Sequence, residues 1–313
     1  MEILFTFVPK EDQQQRLITE FPEIDFHFLY KDKTRLPMAD IIVTYGEDLQ
    51  EEDIHTASNL KWIMVASAGV EKMPHKAIIE KGVIVSNVRG IHKTPMSESV
   101  LAHLLALKRS LPEIYKNQRS SNWNRRIRSS ELAGSTALIL GPGAIGSEIG
   151  RLLQAFGVKT LGCNRSGNPV DHIEEIILFK DILQALPKAD LIISILPSTE
   201  ETKHLFGAEH FKAMKPSAIF MNFGRGDLVQ DEVLLEALKN DEFAYAVLDV
   251  FENEPLPAEH PYWGMENVIV SPHVSSHSGQ YVERTLDIFI PNLKQWLAQG
   301  TQPSNLVNIE KGY

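Results

Sequence analysis

The chain has 313 residues, of which 43% are hydrophobic and 23% charged, and its formal net charge is −10. This composition excludes disordered and collagen-like proteins, and the length predicts two domains of about 150 residues each. The acidic balance argues against nucleic acid or an anionic membrane surface as a partner, and the single cysteine, Cys163, excludes an intramolecular disulfide or a cysteine-rich metal site.

The first hundred residues alternate short β-rich runs with polar segments that are compatible with helices. Such an alternation predicts a parallel sheet covered by helices. The first run, residues 1–7, lacks the basic start and the long apolar core of a signal peptide, and no apolar run reaches the roughly 20 residues of a membrane span. We therefore expect a cytoplasmic protein. The strands predicted in this part are 3–7, 25–29, 41–44, 62–65 and 83–86.

One long helix is predicted over Glu98 to Gln118, with a bend at Pro112. A polar stretch that contains Trp123 follows the helix. The helix is inferred from apolar residues in steps of four and three, which form one face: Val100, Leu104, Leu107, Leu111 and Ile114.

A glycine-rich turn comes next, where the predicted strand 136–140 runs directly into a helical pattern with an apolar face. In such a strand-turn-helix frame Gly141 allows the tight turn, Gly143 lets the backbone approach a pyrophosphate, and Gly146 packs the helix on the strand. The free N–H groups and the dipole of the helix N-terminus favour the anion. The turn therefore predicts a dinucleotide site made by Gly141, Gly143, Ala144, Ile145 and Gly146.

The turn after the second strand of this unit bears on the choice of cofactor. An enzyme specific for NAD would place an acid there for the ribose hydroxyls. Here the turn reads Asn164-Arg165-Ser166, and it contains no acid. Arg165 offers a charged fork to a phosphate, and its neighbours offer neutral hydrogen bonds. We therefore expect NADP(H) to be preferred, with NAD(H) as the alternative.

Further strands are predicted before three chemically distinctive residues in the second half of the chain. Arg225 lies between two glycines, Glu254 precedes Pro255, and His273 follows Ser271-Pro272. A fixed cation, a carboxylate and an imidazole downstream of a dinucleotide turn indicate hydride transfer to a keto acid. The last segment, 280–299, is predicted to be a helix that returns to the first domain. The strands expected here are 160–162, 191–195, 218–222, 244–248 and 268–270.

Taken together, these segments resemble the D-isomer-specific 2-hydroxyacid dehydrogenases over nearly the whole chain. The Asn164-Arg165-Ser166 turn and the terminal Gly312-Tyr313 resemble most the NADPH-linked glyoxylate/hydroxypyruvate reductase branch. No single one of these segments would be enough to indicate the family. The resemblance is carried by the stretches 67–70, 141–146, 190–197, 222–229, 248–257 and 267–273.

The resemblance implies an α/β fold with two Rossmann-like domains and a cleft between them. A flavodoxin-like substrate domain would comprise residues 1–97 and 284–313, and an NAD(P)-binding Rossmann domain residues 98–283. It also implies a homodimer joined through the nucleotide domains, and a small 2-keto or 2-hydroxy acid as substrate.

Site roles follow from the same resemblance and from chemistry. Arg225 would hold the carboxylate and ketone oxygens of the substrate with its fork, and the N–H groups of Ala68 and Gly69 would grip the carboxylate. His273 would donate the proton, since a histidine ordinarily titrates near neutral pH, and Glu254 would fix its tautomer. Asp249 would reach the nicotinamide end. The cofactor would also be lined by Leu196, Pro197, Phe223, Gly224, Arg225 and His273.

Several alternatives stay open at this point. His277 competes with His273 as proton donor, and Glu252 competes with Glu254 as its partner. A metal site is not expected, because the spacing of these groups does not fit a helical ligand pair. A cofactor-sensing corepressor could use the same scaffold, and a family member could act on a branched 2-keto acid or with NAD.

Overall fold

The computed structural model contains two parallel β-sheets, each in its own unit of the chain. Met1–Ile91 and Ser278–Tyr313 form one unit, here called the terminal unit, and His92–His277 form the central unit. The structure describes residues 1–30, 32–67, 69–70, 72–299 and 302–309. Ala68 and the terminal Gly312-Tyr313 lie outside the described residues. The assignment of substrate and nucleotide binding to separate domains stays a prediction.

The helices and strands alternate along most of the chain, as an α/β fold requires. The helices are α1 Glu11–Glu20, α2 Glu51–Thr56, α3 His75–Lys81, α4 Lys93–Lys108, α5 Leu111–Arg119, α6 Ala144–Ala155, α7 Ile182–Ala185, α8 Ala208–Lys212, α9 Asp231–Lys239 and α10 Tyr281–Gln299. The strands are β1 Glu2–Phe5, β2 Asp25–Phe28, β3 Ile41–Thr44, β4 Trp62–Val65, β5 Ile84–Asn87, β6 Thr136–Leu140, β7 Lys159–Asn164, β8 Glu175–Leu178, β9 Leu191–Ser194, β10 Ile219–Asn222, β11 Tyr245–Leu248 and β12 Val268–Val270.

The sheet of the terminal unit has the strand order β2-β1-β3-β4-β5, and its strand pairs are parallel. Both faces are covered, which explains why β3 and β4 are buried along their whole length. Helix α10 packs on one face with Phe289, whose ring centroid lies 5.5 Å from that of Phe5 and 5.6 Å from that of Trp62. The prediction that the last helix returns to the first part of the chain is therefore confirmed.

The long helix predicted over 98–118 is wrong in one respect, because the structure has two helices there. Helix α4 ends at Lys108, Ser110 adopts a left-handed conformation with φ 56°, and α5 begins at Leu111. Pro112 cannot continue the first helix because it lacks an N–H and its ring would meet the carbonyl of Lys108. It is tolerated in the first turn of α5 instead.

The sheet of the central unit has the strand order β12-β11-β10-β9-β6-β7-β8, again parallel throughout. The predicted strands appear within two residues of their expected bounds. Strand β8 was not predicted. It is a half-buried edge strand, and its short run of apolar residues cannot be distinguished from a helical segment by periodicity.

No described helix combines the length and the apolarity that crossing a membrane requires.

Candidate functional site

The three residues expected to carry the chemistry follow three neighbouring strands of the central sheet. Arg225 comes after β10, Glu254 after β11 and His273 after β12, and these strands lie side by side. Because the strands are parallel, their carboxyl ends meet at one edge of the sheet, which is where such sheets bind ligands. The fold thus brings together residues that are far apart in the sequence.

His273 and Glu254 form a hydrogen-bonded pair. The Nδ1 atom of His273 lies 2.9 Å from Oε2 of Glu254. The other carboxylate oxygen, Oε1, accepts from the backbone N–H of Phe251 at 3.1 Å, so the carboxylate is itself anchored. The imidazole side chain is 48% exposed. With Nδ1 engaged, Nε2 is the nitrogen that can exchange a proton with a ligand.

Glu252, the alternative partner, has other contacts. Its Oε1 lies 3.3 Å from Nε2 of His204, and its Oε2 accepts from the N–H of Asp231 at 2.9 Å. Asp231 is the first residue of α9, so the Glu252 carboxylate satisfies one of the free N–H groups of that helix terminus. Among the described residues, the imidazole of His277, the alternative proton donor, has no carboxylate partner comparable to Glu254.

Arg225 sits on a backbone that tolerates no side chain on either neighbour. A Cβ added to Gly226 would lie 1.9 Å from the carbonyl carbon of Phe251, and one added to Gly224 would lie 2.4 Å from the carbonyl oxygen of Leu196. The Asn222 side chain donates to the Arg225 carbonyl at 2.8 Å, and Nη1 of Arg225 donates to the Gly224 carbonyl at 2.9 Å. Close packing therefore fixes where the guanidinium emerges from the sheet edge.

His92 is a residue near Arg225 that no sequence pattern singled out. It is 7% exposed, and burial, aided by the positive charge of Arg225, lowers its pKa to about 4. The ring is therefore neutral near pH 7. A lone histidine without a motif around it carries no signal in the sequence, so only the folded structure identifies this neighbour.

Asp249 is buried, with an exposed fraction of 1%. Its Oδ1 accepts from the hydroxyl of Ser271 at 2.5 Å and from the N–H of Val274 at 3.0 Å, and its Oδ2 accepts from the N–H of Ser275 at 3.1 Å. The carboxylate expected at the nicotinamide end is thus hydrogen-bonded on both oxygens to the loop after β12.

The glycine turn has the geometry that a pyrophosphate needs. Gly141 has φ +84°, a conformation that side chains disfavour, and a Cβ on Gly146 would lie 2.7 Å from the Gly141 carbonyl oxygen. By contrast, a Cβ on Gly143 would meet nothing within 4 Å, so open space lies beside it. Gly143 is the N-cap of α6, and no side chain caps that helix. The N–H groups of Ala144 and Ile145 in the first turn are therefore suited to an anion.

The turn after β7 is held by its own side chains. Oδ1 of Asn164 accepts from the N–H of Gly167 at 2.7 Å, and the Ser166 hydroxyl accepts from the N–H of Asn168 at 3.2 Å. Nη1 of Arg165 lies 3.4 Å from Oε2 of Glu201, and both side chains are well exposed. The guanidinium thus projects from an ordered turn towards solvent.

The other residues expected to line the cofactor differ in whether their side chains are buried or exposed. Leu196 and Phe223 are buried, with exposed fractions of 5% and 2%, and both side chains belong to hydrophobic clusters. Only their backbone groups can face a ligand. Pro197 is exposed. Cys163 is buried near the end of β7, and burial raises the pKa of its thiol to about 12, so it is a packing residue and not a reactive thiol.

In the terminal unit, two hydroxyl groups fasten the turn that was expected to bind the substrate carboxylate. The Ser67 hydroxyl donates to the carbonyl of Gly69 at 2.9 Å. The Tyr281 hydroxyl on α10 donates to the carbonyl of Ala66 at 2.8 Å, and burial raises the pKa of Tyr281, so it stays a donor. Gly69 is among the described residues, whereas Ala68 is not.

Comparisons with known proteins agree on one family. Residues 101–275 match the family model for the NAD-binding domain of the D-isomer specific 2-hydroxyacid dehydrogenases. The chain is 32% identical over 270 residues to a glyoxylate reductase of Thermofilum pendens, a match that covers 84% of this chain and 79% of the relative. It is 31% identical over 271 residues to a D-3-phosphoglycerate dehydrogenase of Methanocaldococcus jannaschii; 86% of this chain is covered, but only 51% of the relative, so this chain spans about half of that protein.

Among solved structures, a D-isomer specific 2-hydroxyacid dehydrogenase family protein from Aeromonas salmonicida superposes with a TM-score of 0.87 at 33% identity, covering 98% of this chain and 99% of the other.

Proposed function

Because the chain belongs to the D-isomer-specific 2-hydroxyacid dehydrogenases, which are NAD(P)-dependent oxidoreductases, we propose that it reduces a small 2-keto acid such as glyoxylate or hydroxypyruvate, with NADPH as the preferred donor. The product is the 2-hydroxy acid, as the D-enantiomer where that product is chiral. The observation that carries this proposal is the His273–Glu254 pair, 2.9 Å apart on the strand-end edge that also bears Arg225.

The bound dinucleotide would supply the hydride, and the residues of this chain would do the rest. Arg225 stays charged at any working pH, and its planar fork can bind a carboxylate oxygen and the neighbouring ketone oxygen together. As negative charge develops on the ketone oxygen, His273 would donate its proton through Nε2. Glu254, bonded to Nδ1, would hold the ring in place for the transfer. In the reverse direction the same Nε2 would accept the proton.

Residues of the terminal unit are proposed to bind the substrate carboxylate through the N–H groups of Ala68 and Gly69. This rests on the resemblance and on the fastening of the turn by the Ser67 hydroxyl. Ser67→Ala should raise KM for the keto acid without changing the dissociation constant of the cofactor. An unchanged KM would remove this turn from the substrate site.

The function is tested by measuring NADPH oxidation with a panel of glyoxylate, hydroxypyruvate, pyruvate and a branched 2-keto acid, with kcat/KM as the measure. A pocket distinguishes substrates that differ by a methylene by only about 1–3 kcal/mol, so the ranking has to be measured. Glycolate, the product of glyoxylate, has no stereocentre. For the chiral products of the other three keto acids, only the D-enantiomer should be oxidised in the reverse direction. Cofactor binding without turnover of any 2-keto acid would instead favour a cofactor-sensing corepressor.

The preference for NADPH is proposed from Arg165, which stands where an NAD-specific enzyme would have an acid. An exposed guanidinium attracts a 2′-phosphate and removes the repulsion that a carboxylate would add. Arg165→Asp should shift the ratio of kcat/KM values towards NADH. A clear preference of the unmodified protein for NADH would contradict the proposal.

Glu201 offers a second, finer test of the same idea. Its carboxylate, 3.4 Å from Arg165, competes with a 2′-phosphate for the same cation. Glu201→Gln should therefore tighten NADPH binding by a few-fold and leave NADH binding unchanged. The neighbouring Glu200 is exposed too, so Glu200→Gln makes the same charge change without touching the pair. Equal effects of the two variants would indicate only a general electrostatic effect.

We also propose that two copies of this chain pair through α5 and the basic segment after it. Helix α5 buries none of its residues against the chain, and Trp123 is 90% exposed. Ile114 and Tyr115 of α5 are exposed as well, and several exposed apolar side chains in one segment favour an interface where a single one would not. Three arginines, Arg125, Arg126 and Arg128, follow Trp123, whereas the chain as a whole carries a net charge of −10. A second, acidic copy is the partner that fits both features.

A further inference from the structure

The loop that carries His273 is held mainly by one buried carboxylate. Asp249, at the end of β11, accepts three hydrogen bonds from residues on both sides of His273: the Ser271 hydroxyl at 2.5 Å, the Val274 N–H at 3.0 Å and the Ser275 N–H at 3.1 Å. At an exposed fraction of 1%, this carboxylate depends on these donors for the hydrogen bonds that water would otherwise provide. The loop and the carboxylate therefore stabilise each other.

The backbone of His273 needs such support. Its φ is +54°, in the left-handed region that residues with a side chain seldom adopt. Half of the imidazole side chain is exposed, so packing alone does not set its direction. The Ser99 hydroxyl of α4 also reaches this loop, donating to the Ser275 carbonyl at 3.3 Å. Without these contacts the loop could relax to a more common conformation and move the ring.

We propose that Asp249 is a positioning residue for proton transfer: its carboxylate holds residues 271–275 so that Nε2 of His273 points at the substrate oxygen while Nδ1 meets Glu254. This differs from the role at the nicotinamide end that the resemblance implied for Asp249. The inference rests on the proposed function, because it assigns Asp249 an effect that acts through His273.

A double-mutant cycle between Asp249 and Ser271 separates the two roles. Ser271→Ala removes one of the three donors and leaves the carboxylate in place, and it should lower kcat about 3- to 10-fold. Asp249→Asn replaces one carboxylate oxygen with an NH2 group, which cannot accept a hydrogen bond, so at least one of the three bonds to the loop is lost. It should lower kcat about 10- to 100-fold. If both act through the loop, the double variant should be no slower than Asp249→Asn alone.

The readouts are chosen so that a general loss of structure does not imitate the result. KM for the keto acid and the dissociation constant of NADPH, measured by fluorescence in the absence of substrate, should stay within two-fold. The solvent deuterium isotope effect on kcat should rise in both variants, because proton transfer has become slower. Ser276→Ala makes the same change one residue beyond the loop that Asp249 holds, and it should leave all these values unchanged.

Two results would overturn the inference. If Asp249→Asn weakens NADPH binding and Ser271→Ala leaves kcat unchanged, Asp249 acts on the cofactor and not on the loop. If the effects of the two substitutions on kcat multiply in the double variant, they act independently. If Asp249→Asn does not fold, the kcat of Ser271→Ala compared with that of Ser276→Ala still tests the inference, and equal values would overturn it. Failure of the proposed function is recognised separately, because the unmodified protein would then turn over no 2-keto acid.

Discussion

At the scale of single residues, the site depends on which of two carboxylates serves the imidazole. Glu252 and Glu254 are two residues apart in the sequence, yet their contacts differ completely. Glu254 is bonded to His273, whereas Glu252 is bonded to His204 and to the first N–H of α9. One carboxylate is therefore paired with the proposed proton donor, and the other stabilises a helix terminus.

This division predicts different outcomes for matched substitutions. His273→Ala should lower kcat by roughly 10²–10⁴-fold, which is the usual contribution of a general acid. Glu254→Gln should lower kcat less, because the ring remains but its orientation loses support. Glu252→Gln should leave kcat unchanged and cost about 1 kcal/mol or less of unfolding free energy. Steady-state kinetics measure kcat, and urea unfolding measures the unfolding free energy. A low kcat of Glu252→Gln would contradict the assignment of Glu254 as the partner of His273.

At the scale of elements, the glycine turn between β6 and α6 combines close packing with open space. Only the three residues of the glycine turn separate the strand from the helix. Gly146 of the helix lies so close to this turn that a methyl group would meet the Gly141 carbonyl oxygen at 2.7 Å. At Gly143, the residue just before the helix, the conditions reverse, since a methyl group there would meet nothing within 4 Å. One glycine is required by the protein itself, and the other only by a ligand.

The two glycines should therefore respond differently to alanine. Gly146→Ala should destabilise the fold by about 1–3 kcal/mol, because the added methyl group forces the helix away from the strand. Gly143→Ala should change the unfolding free energy by about 1 kcal/mol or less and weaken NADPH binding at least 10-fold. Urea unfolding and fluorescence titration separate these effects. Tight NADPH binding by Gly143→Ala would place the pyrophosphate elsewhere.

At the scale of the whole molecule, buried histidines make folding sensitive to acid. Burial lowers the pKa of His92, His103 and His210, and for His92 the value falls to about 4. An unfolded histidine titrates near 6.5, so the unfolded chain binds more protons than the folded chain between these two values. Stability from this source is complete above about pH 6.5 and is lost as the pH falls towards 4.

For His92 the shift corresponds to about 3 kcal/mol of unfolding free energy. His92→Gln should therefore make the unfolding free energy fall less steeply between pH 6.5 and 4.5 than it does in the unmodified protein. The exposed His55 provides the control, and His55→Gln should leave the slope unchanged. Urea unfolding at several pH values gives the slopes. Equal slopes for all three proteins would contradict the burial argument.

Assembly is the second property of the whole molecule that can be tested. Trp123→Ser should convert the proposed dimer to a monomer, because it removes the most exposed large apolar group of the described residues. Light scattering coupled to size-exclusion chromatography measures the mass directly. Trp263, which is 52% exposed, serves as the matched control, and Trp263→Ser should leave the mass unchanged. A monomeric unmodified protein would end the proposal.

The sequence by itself determined the class of fold, most strand bounds and the family, because these depend on local patterns. Each of these patterns spans only a few consecutive residues. They are the alternating apolar runs, the glycine turn after a strand, and the acidic and basic residues next to prolines. Strand β8 and the break at Ser110 escaped because a short apolar run and the residues before a proline permit more than one local structure.

Only the tertiary structure decided which side chains meet. The pairing of His273 with Glu254, the burial of His92 near the charge of Arg225 and the three bonds of Asp249 to the loop after β12 join residues on different strands or helices. Their distances depend on strand order and on packing, which no short segment encodes. The physical reason is that a hydrogen bond or a burial penalty is a property of the folded neighbourhood, and the chain acquires that neighbourhood only when its parallel strands align at one edge.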